Sequence, residues 1–458
     1  MLNSSFSGQE LRDLRENQKV SQAKLAKETS IFQGKISAFE LGKGNLFEEE
    51  KNIILNFFSN SIEVEKVVKA KKKITKESNF VINPLDIEKR KKKYSLSPKT
   101  KNYVKELDDL YTNHLNSQKK FKAVSLFSGC GGLCLGFSAA GVRIAGFIEK
   151  DKDISQIYRD NFSSTPQLAN DITSLSHADI EQYKESIGDI DIVIGGPPCQ
   201  GFSLSGKRDK SDARNKLFEN YIDIVSVFKP KLALLENVQL LTSMKDENGN
   251  YVKDLIIKKF QDLGYKITYF DVNSKDYGVP QSRARVFFLA IRNDISAELS
   301  FPEIENRGLT FGDACSDLEY LESGESSDID ELHFAVNHPA HVLEWLWNVP
   351  EGHSAHDNQD QNLRPPSGYN TTYKRQVWHE EGSTVQTTFG MISGCRNVHP
   401  VATRSLTIRE AARIQSFPDK FVFKGKVGTV RTAIGNAVPP LLSYKIAKYL
   451  TNILDNEK

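Results

Sequence analysis

The segment FKAVSLFSGCGGL, residues 121–133, decides the fold of the chain. Its first half is a short apolar run rich in strand-forming side chains, and its second half is a turn of small residues. A strand that leads directly into a glycine-rich turn is typical of an open α/β sheet, because the turn lets a ligand approach the backbone and a helix N-terminus. Dinucleotide-binding enzymes use a similar turn, so this segment alone indicates a fold and not a function.

Four further apolar runs continue the pattern towards the C-terminus, separated by segments of helical length. The alternation predicts an α/β domain with a mostly parallel sheet, whose first part covers residues 121–295. The runs are IAGFIE (144–149), DIVIGG (191–196), KLALLEN (231–237) and RVFFLAI (285–291).

Residues 296–402 break this rhythm, because they are rich in Gly, His, Asn, Ser and Pro. They predict an irregular lobe inserted into the domain. Residues 403–458 then predict a returning C-terminal part of the same domain, with a final helix near 438–453.

The 458-residue chain has the composition of a globular protein, with 39% hydrophobic and 26% charged residues. No stretch approaches the roughly 20 apolar residues that cross a bilayer. The first residues lack the apolar core of a secretory signal, so we expect a cytoplasmic protein without a membrane partner. The five cysteines are scattered without CxxC pairs, which argues against a disulfide framework or a structural zinc site.

Residues 1–60 predict a small all-α domain of short packed helices. Ser21 is a plausible N-cap, and SQAKLAKETSIFQGKISAFELGKG (21–44) has the pattern of helix, tight turn, helix. It resembles the helix-turn-helix of phage-repressor-like regulators, whose second helix enters the major groove. The alternative is a small helical bundle that binds only protein. The resemblance implies DNA contacts from Gln22, Gln33, Lys35 and Ser37.

Residues 61–120 predict a basic linker, with 16 basic and 8 acidic residues in a chain whose net charge is only +2. The runs KAKKK (69–73) and KRKKK (89–93) carry much of this charge. The segment is either a solvated spacer or a non-specific clamp on DNA phosphates.

Two acids follow the first strands of the predicted sheet. Glu149 ends the run IAGFIE, where a carboxylate is placed to accept hydrogen bonds from ribose hydroxyls. Asp171 is placed to meet an adenine amino group. Together they predict that the ligand is an adenosine derivative.

The segment GGPPCQGFS, residues 195–203, follows the strand DIVI and predicts a nucleophile. Prolines beside Cys199 give it a rigid backbone at the carboxyl edge of the sheet, where ligands bind. A buried, inert cysteine is the alternative. Glu236, in ENV at 236–238, ends another strand and is a candidate acid at the same edge.

Residues 121–458 resemble the DNA cytosine-5 methyltransferase family through eight motifs in order, a combination far more specific than any single one. The resemblance implies a Rossmann-like S-adenosylmethionine-dependent fold with an inserted target-recognition lobe. The motifs are FSGCGG, Glu149, Asp171, PPCQGFS, ENV, QSRAR (281–285), RSLTIREAARIQSFP (404–418) and GNAVPP (435–440).

The resemblance also implies the roles of individual residues. Cys199 adds to carbon 6 of a cytosine that has rotated out of the duplex, and Glu236 binds ring nitrogen 3. Arg283 and Arg285 hold the flipped base and support the loop around it, although a surface ion pair is the alternative. The residues expected to bind S-adenosylmethionine are Phe127, Gly129, Gly131, Glu149, Asp171, Pro197, Asn436 and Val438.

In the inserted lobe, the resemblance implies base contacts from Arg375, Thr384 and Gln386. Thr407 and Glu410 are expected to cap a helix. We expect no metal site, since the histidines of the lobe lack companion cysteines and are better explained as ordinary loop residues. These histidines are His333, His338, His341, His353 and His356.

The sequence thus predicts methyl transfer to cytosine in duplex DNA, with autoregulation through the N-terminal domain as a further possibility. Duplex DNA is the expected partner, and a companion restriction endonuclease that acts on the same site without stable association is a further possibility. Two other functions stay open: a transcriptional regulator with an inert or secondary methyltransferase domain, and an RNA cytosine-5 methyltransferase. The N-terminal domain and the lobe favour DNA over RNA. A nicotinamide dehydrogenase explains FSGCGG but neither PPCQG nor GNAVPP.

Overall fold

The chain divides into two compact units, Met1–Asn79 and Phe80–Lys458. None of the helices that the structure describes is long and apolar enough to cross a membrane. The structure is a computed structural model, and it describes residues 6–18, 20–29, 31, 33–42, 44–47, 49–58, 80, 83–198, 217–246 and 248–457.

Short helices build the N-terminal unit. Ser21 has its predicted N-cap geometry, because its hydroxyl accepts a hydrogen bond from the Lys24 N–H at 3.1 Å. The helices are Gly8–Asn17 (α1), Gln22–Thr29 (α2) and Gln33–Glu40 (α3), and residues 49–58 are also helical. Their apolar faces share one core, formed by Phe6, Leu11, Val20, Leu25, Ile31, Ile36, Phe39, Leu46, Ile54 and Phe58.

A buried carboxylate joins helices α1, α2 and α3 of this unit. Glu40 on α3 accepts hydrogen bonds from Arg15 on α1, Nε at 2.8 Å and Nη2 at 3.0 Å. Gln22 on α2 donates its side-chain amide to the same carboxylate at 2.7 Å. This two-pronged pairing compensates the buried charge and fixes the angles between the helices.

A seven-stranded sheet in the order β3-β2-β1-β4-β5-β8-β6 organises the second unit. The strands of this unit are Phe121–Leu126 (β1), Val142–Ile148 (β2), Gln167–Ala169 (β3), Ile192–Gly195 (β4), Leu232–Val238 (β5), Tyr265–Asn273 (β6), Gln281–Ser282 (β7), Ala284–Arg292 (β8) and Gly382–Ser383 (β9).

Five neighbouring strands, in the sheet order β3-β2-β1-β4-β5, run parallel to one another. This confirms the predicted mostly parallel sheet. Strand β8 lies between β5 and β6 and is antiparallel to both. Its direction could not be predicted, because a strand buried on both faces has the same apolar pattern either way. Chain order reverses between β1 and β4, and the carboxyl edge of an open sheet binds ligands at such a switch point.

The helices of the second unit include those that cover both faces of the sheet. They are Pro84–Lys93 (α4), Thr100–Asn116 (α5), Gly132–Ala139 (α6), Lys152–Asn161 (α7), His177–Ile187 (α8), Leu217–Phe228 (α9), Val252–Asp262 (α10), Phe311–Cys315 (α11), Ala340–Trp347 (α12), Ile408–Ile414 (α13), Val427–Asn436 (α14) and Pro440–Asn456 (α15). The predicted final helix is thus present as α15.

The two faces of β1 enter different cores, which shows how the sheet is sandwiched. Phe121 and Ala123 belong to a core shared with α5, α6 and α15. Val124 and Leu126 belong to a core shared with α9 and α10. A strand buried on both faces needs mainly apolar residues, as FKAVSLF provides.

Residues 83–116 differ from the linker expected over 61–120, because they form helices α4 and α5. Tyr103, Leu107 and Leu110 of α5 are buried in the core of the second unit. The Tyr103 hydroxyl also donates a hydrogen bond to the carbonyl of Arg413 at 2.6 Å. These apolar residues recur at helical spacing, a signal that the surrounding charge obscured.

Residues 296–402 contain little regular structure beyond α11, α12 and the short strand β9. Within this segment, Val342, Leu346, Ile392 and Val398 belong to a small separate core. Other apolar residues of the segment join the core of the sheet instead, namely Phe311, Trp378, Val385 and Phe389.

Candidate active site

The turn after β1 shapes one wall of the site. Phe127 and Gly129 both have positive φ angles, of 53° and 56°, which fold the chain sharply across the sheet edge. Gly131, with φ of 98°, is the N-cap of α6. A Cβ at this position would lie 2.4 Å from the ring of Phe162, so only glycine fits both the backbone and the packing.

Glu149, just after β2, ties two loops of the sheet edge together. Its Oε2 accepts a hydrogen bond from the Gly129 N–H at 2.9 Å, and its Oε1 accepts one from the Asp151 N–H at 2.9 Å. Burial raises the pKa of this carboxyl above its ordinary value, while the backbone hydrogen bonds oppose the shift. The carboxylate is therefore held in one orientation at the edge of the sheet.

Asp171 follows β3 on the same side. Its Oδ2 lies 2.7 Å from Nζ of Lys150, and its Oδ1 accepts hydrogen bonds from the N–H and hydroxyl of Thr173. The ammonium group of Lys150 lowers the pKa of Asp171, so this carboxylate stays charged.

Glu236 and Asn237, near the end of β5, lie beside the chain that leaves β4. Asn237 donates its side-chain amide to the carbonyl of Pro197 at 2.7 Å, which holds the strand exit that leads to the predicted nucleophile. Glu236 Oε1 lies 3.2 Å from Nε of Arg285. A Cβ at position 196 would lie 2.9 Å from Glu236 Oε2, so Gly196 gives this carboxylate its room.

Burial raises the pKa of Glu236, although the guanidinium groups of Arg285 and Arg283 counteract part of the effect. The side chain is only 12% exposed. A carboxyl in this environment keeps its proton to a higher pH than an ordinary surface glutamate, as a proton donor needs.

Arg283 connects three distant parts of the chain. Its Nη1 donates to the carbonyl of Val385 at 3.3 Å, and its Nη2 donates to the carbonyl of Gly435 at 3.0 Å. Its Nε is buried and has no hydrogen-bond partner within the part of the chain that the structure describes. The residue is 2% exposed, so the predicted alternative of a surface ion pair is wrong for Arg283.

These residues surround one cavity of about 830 Å³ at the carboxyl edge of β1, β2, β4 and β5. Of the twelve predicted catalytic and cofactor residues, ten border it. Gly131 lies behind the cavity at the start of α6. Cys199 lies outside the described residues, whereas Pro197 and Pro198 before it line the cavity.

Comparison with known proteins identifies the family. The family model for C-5 cytosine-specific DNA methylase matches residues 121–452. The chain belongs to that family. This methyltransferase is 35% identical to the type II methyltransferase M.DdeI of Desulfomicrobium norvegicum, over 73% of this chain and 89% of the relative. The type II methyltransferase M1.HphI of Haemophilus parahaemolyticus is 38% identical, over 73% of this chain and 87% of the relative.

The fold of this methyltransferase agrees with a solved structure from the same class of enzymes. A protein crystallised as a DNA modification methyltransferase encoded within an E. coli prophage superposes with a TM-score of 0.60 at 25% identity. The match covers 73% of this chain and all of that one. The chain is therefore a DNA cytosine-5 methyltransferase, as predicted.

S-adenosylmethionine is the cofactor of this family, and the residues around the cavity fit it. The volume is in the range of small-molecule sites. A Cβ built on Gly129 would meet nothing within 4 Å, so the turn leaves open space beside the backbone. Glu149 and Asp171 offer carboxylate oxygens to a nucleoside, and apolar side chains from Phe127, Ile148, Ile172 and Val438 offer a surface for its ring.

Two contributors to the site were missed in the sequence. Asn237 sits inside the quoted motif ENV, and its position directly after Glu236 at the end of a strand was the available signal. Lys150 follows Glu149 in the sequence, but its pairing with Asp171 depends on the register of β2 and β3.

The prediction that Arg375 contacts bases is wrong in this structure. The side chain is 2% exposed, and its Nη1 donates to the carbonyls of His399 at 3.0 Å and Ala402 at 2.7 Å. Its Nη2 donates to the carbonyl of Leu346 and the hydroxyl of Thr403. Arg375 therefore satisfies the carbonyls of a buried turn.

The other predicted DNA contacts lie nearer the surface. Thr384 donates its hydroxyl to the carbonyl of Ser282 at 2.8 Å, and Gln386 is exposed. In the N-terminal unit, Gln33 is exposed and Ser37 is half-buried. Two further residues have internal partners there: Gln22 binds Glu40, and Lys35 lies 2.7 Å from Glu50.

Thr407 and Glu410 form a capping box at the start of α13, as predicted. Glu410 also pairs in a buried, two-pronged contact with Arg404 at 2.7 and 2.8 Å. The helix start is thus fixed by charge as well as by capping.

Proposed function

We propose that this methyltransferase modifies carbon 5 of one cytosine within a specific duplex sequence, with Cys199 as a covalent catalyst. We also propose that it is the cytoplasmic modification enzyme of a restriction-modification system, paired with an endonuclease that acts separately on the same site. The single observation that carries the chemistry is the position of Glu236, buried beside Arg285 in the same cavity as Glu149.

The proposed mechanism begins with the Cys199 thiolate, which forms a bond to carbon 6 of the flipped cytosine. Glu236 donates its proton at ring nitrogen 3, so the electrons pushed into the ring are neutralised there. S-adenosylmethionine supplies an electrophilic methyl group. Once carbon 5 carries the methyl group, it loses its proton to a base, the carbon–sulfur bond breaks, and nitrogen 3 returns its proton to Glu236.

We propose that the two acids and the turn after β1 hold the cofactor. Glu149 would bind the ribose hydroxyls and Asp171 the adenine amine. Phe127, Gly129, Pro197, Asn436 and Val438 would complete the walls, while Gly131 positions α6 behind the turn. Arg283 would fix the segments around the base, and Arg285 would orient Glu236.

A duplex carrying 5-fluorocytosine at the target tests the covalent step. Fluorine cannot leave carbon 5 as a proton does, so the bond from Cys199 to carbon 6 should persist after methyl transfer. We expect a denaturation-resistant protein–DNA adduct that requires S-adenosylmethionine, resolved by gel electrophoresis. The same duplex with ordinary cytosine is the control. Free enzyme alone, under conditions where that control is methylated, would contradict covalent catalysis.

We further propose the domain roles that follow from the sequence. Residues 1–60 form a helix-turn-helix domain, part of 61–120 serves as a basic connection, and 296–402 act as the target-recognition lobe between catalytic parts 121–295 and 403–458. The small separate core around Leu346 and Ile392 supports a distinct lobe within this segment. The N-terminal domain would bind the promoter of this chain and repress it.

Promoter binding is testable with the full-length protein and DNA from its own upstream region. Gln33 is exposed at the first turn of α3, where base contacts are expected. We expect wild-type protein to prefer the upstream region over random duplex by about 10³-fold or more at moderate salt. Gln33→Ala should lose most of this preference and keep methylation activity. Gln9→Ala on α1 is the matched control, and equal affinity of wild-type protein for both duplexes would reject the hypothesis.

A further inference from the structure

Arg431 is a half-buried arginine that has no acidic partner among the residues that the structure describes. It lies on α14, whose neighbouring residues Thr432 and Asn436 line the cavity. Within the described parts of the chain, its Nε is buried without a hydrogen-bond partner, and no carboxylate forms an ion pair with the guanidinium. Burial lowers the pKa of the guanidinium, and no carboxylate opposes this. Such a charge is costly unless an anion compensates it.

Two other arginines in the same half of the chain are buried and paired with carboxylates. Arg404 pairs with Glu410, and Arg413 pairs with Asp317 and Asp419. Arg431, by contrast, has no carboxylate partner among the described residues, so an anion from elsewhere would have to compensate its charge.

The chain makes room for this guanidinium at Gly390. A Cβ there would lie 2.1 Å from Cζ of Arg431, so any larger residue would displace the side chain. The guanidinium also lies 5.9 Å from the ring centre of Phe389. The turn at 389–390 follows the exposed Gln386 of the proposed lobe, while α14 borders the cavity. Arg431 therefore lies where the lobe meets the active site.

We propose that Arg431 binds a backbone phosphate of the duplex beside the target cytosine. This inference rests on the proposed function, because it takes duplex DNA as the substrate. A planar guanidinium can pair with two phosphate oxygens, and phosphate contacts fix the register of DNA on a protein. Arg431 would act as a positioning residue that holds the target strand between the lobe and the cavity.

The test compares the salt dependence of DNA binding by wild-type protein and Arg431→Gln. Each lost phosphate contact should lower the slope of log affinity against log salt by about 0.9. We expect that change, with about 10-fold weaker binding at low salt. Fluorescence anisotropy would be measured on a methylatable duplex and on a random duplex. A phosphate contact affects both, so the random duplex gives a result even if no methylation is found.

Matched variants make the result decisive. Arg143→Gln removes the same charge from an exposed residue at the amino edge of β2, and it should leave the slope unchanged. Gly390→Ala keeps all charges but displaces the guanidinium, so it should weaken DNA binding in the same direction. Cofactor affinity, measured by calorimetry, should stay within about 2-fold in every variant. An unchanged slope in Arg431→Gln, or one that falls equally in Arg143→Gln, would overturn the proposal.

Discussion

Cys199→Ser should abolish methyl transfer, lowering kcat by at least about 10⁴-fold while the cofactor still binds. The reason is chemical: the thiolate is the nucleophile, and a serine hydroxyl is far less ionised near neutral pH. Transfer of radiolabelled methyl groups to duplex DNA measures activity, and calorimetry measures cofactor affinity. The adduct with 5-fluorocytosine should disappear in the same variant.

A cysteine outside the proposed site provides the control for this exchange. Cys395 is exposed and forms no disulfide with the other described cysteines, so Cys395→Ser makes the same atomic change at the surface. It should keep activity within about 2-fold, as most surface substitutions have little effect. Substantial methyl transfer by Cys199→Ser would remove the covalent mechanism. Loss of cofactor binding would instead indicate that the substitution had disturbed the fold.

The sequence could predict the cavity well because its residues follow strand ends. The carboxyl ends of β1, β2, β4 and β5 meet at one edge, so Phe127, Glu149, Pro197 and Glu236 were brought together by topology alone. Residues that directly follow predicted parallel strands can therefore be placed at the same edge of the sheet from the sequence. The sequence gives no comparable indication that β8 is antiparallel, because a buried strand has the same apolar pattern in either direction.

Irregular segments were less predictable, because their contacts do not follow a period. The family resemblance implied a base contact for Arg375, yet this side chain donates to buried carbonyls of residues 399–402. Arg431, in contrast, lies in no sequence pattern that would predict a role for it. The lack of an acidic partner among the described residues and the space at Gly390 are properties of tertiary packing. Charge in the segment 83–116 likewise concealed the apolar stripe of α5.

Glu236→Gln should lower kcat by about 10²- to 10⁴-fold, the usual contribution of a positioned proton donor. Glutamine has nearly the same shape and can still bind the base, so affinities for DNA and cofactor should change only a few-fold. Single-turnover methylation at saturating DNA and cofactor isolates the chemical step. Adduct formation with 5-fluorocytosine should slow in parallel, because addition of Cys199 to carbon 6 needs the proton at nitrogen 3.

The pH profile separates proton donation from simple binding by Glu236. Only the protonated carboxyl can donate, so activity should fall as pH rises through its pKa, which burial raises above the ordinary value. The thiolate of Cys199 requires the opposite change, so activity should also fall at low pH. In Glu236→Gln the alkaline fall should vanish, while the acidic fall remains because the thiol is still present. An alkaline limb that persists in the glutamine variant would assign the proton to another group and leave Glu236 with a binding role.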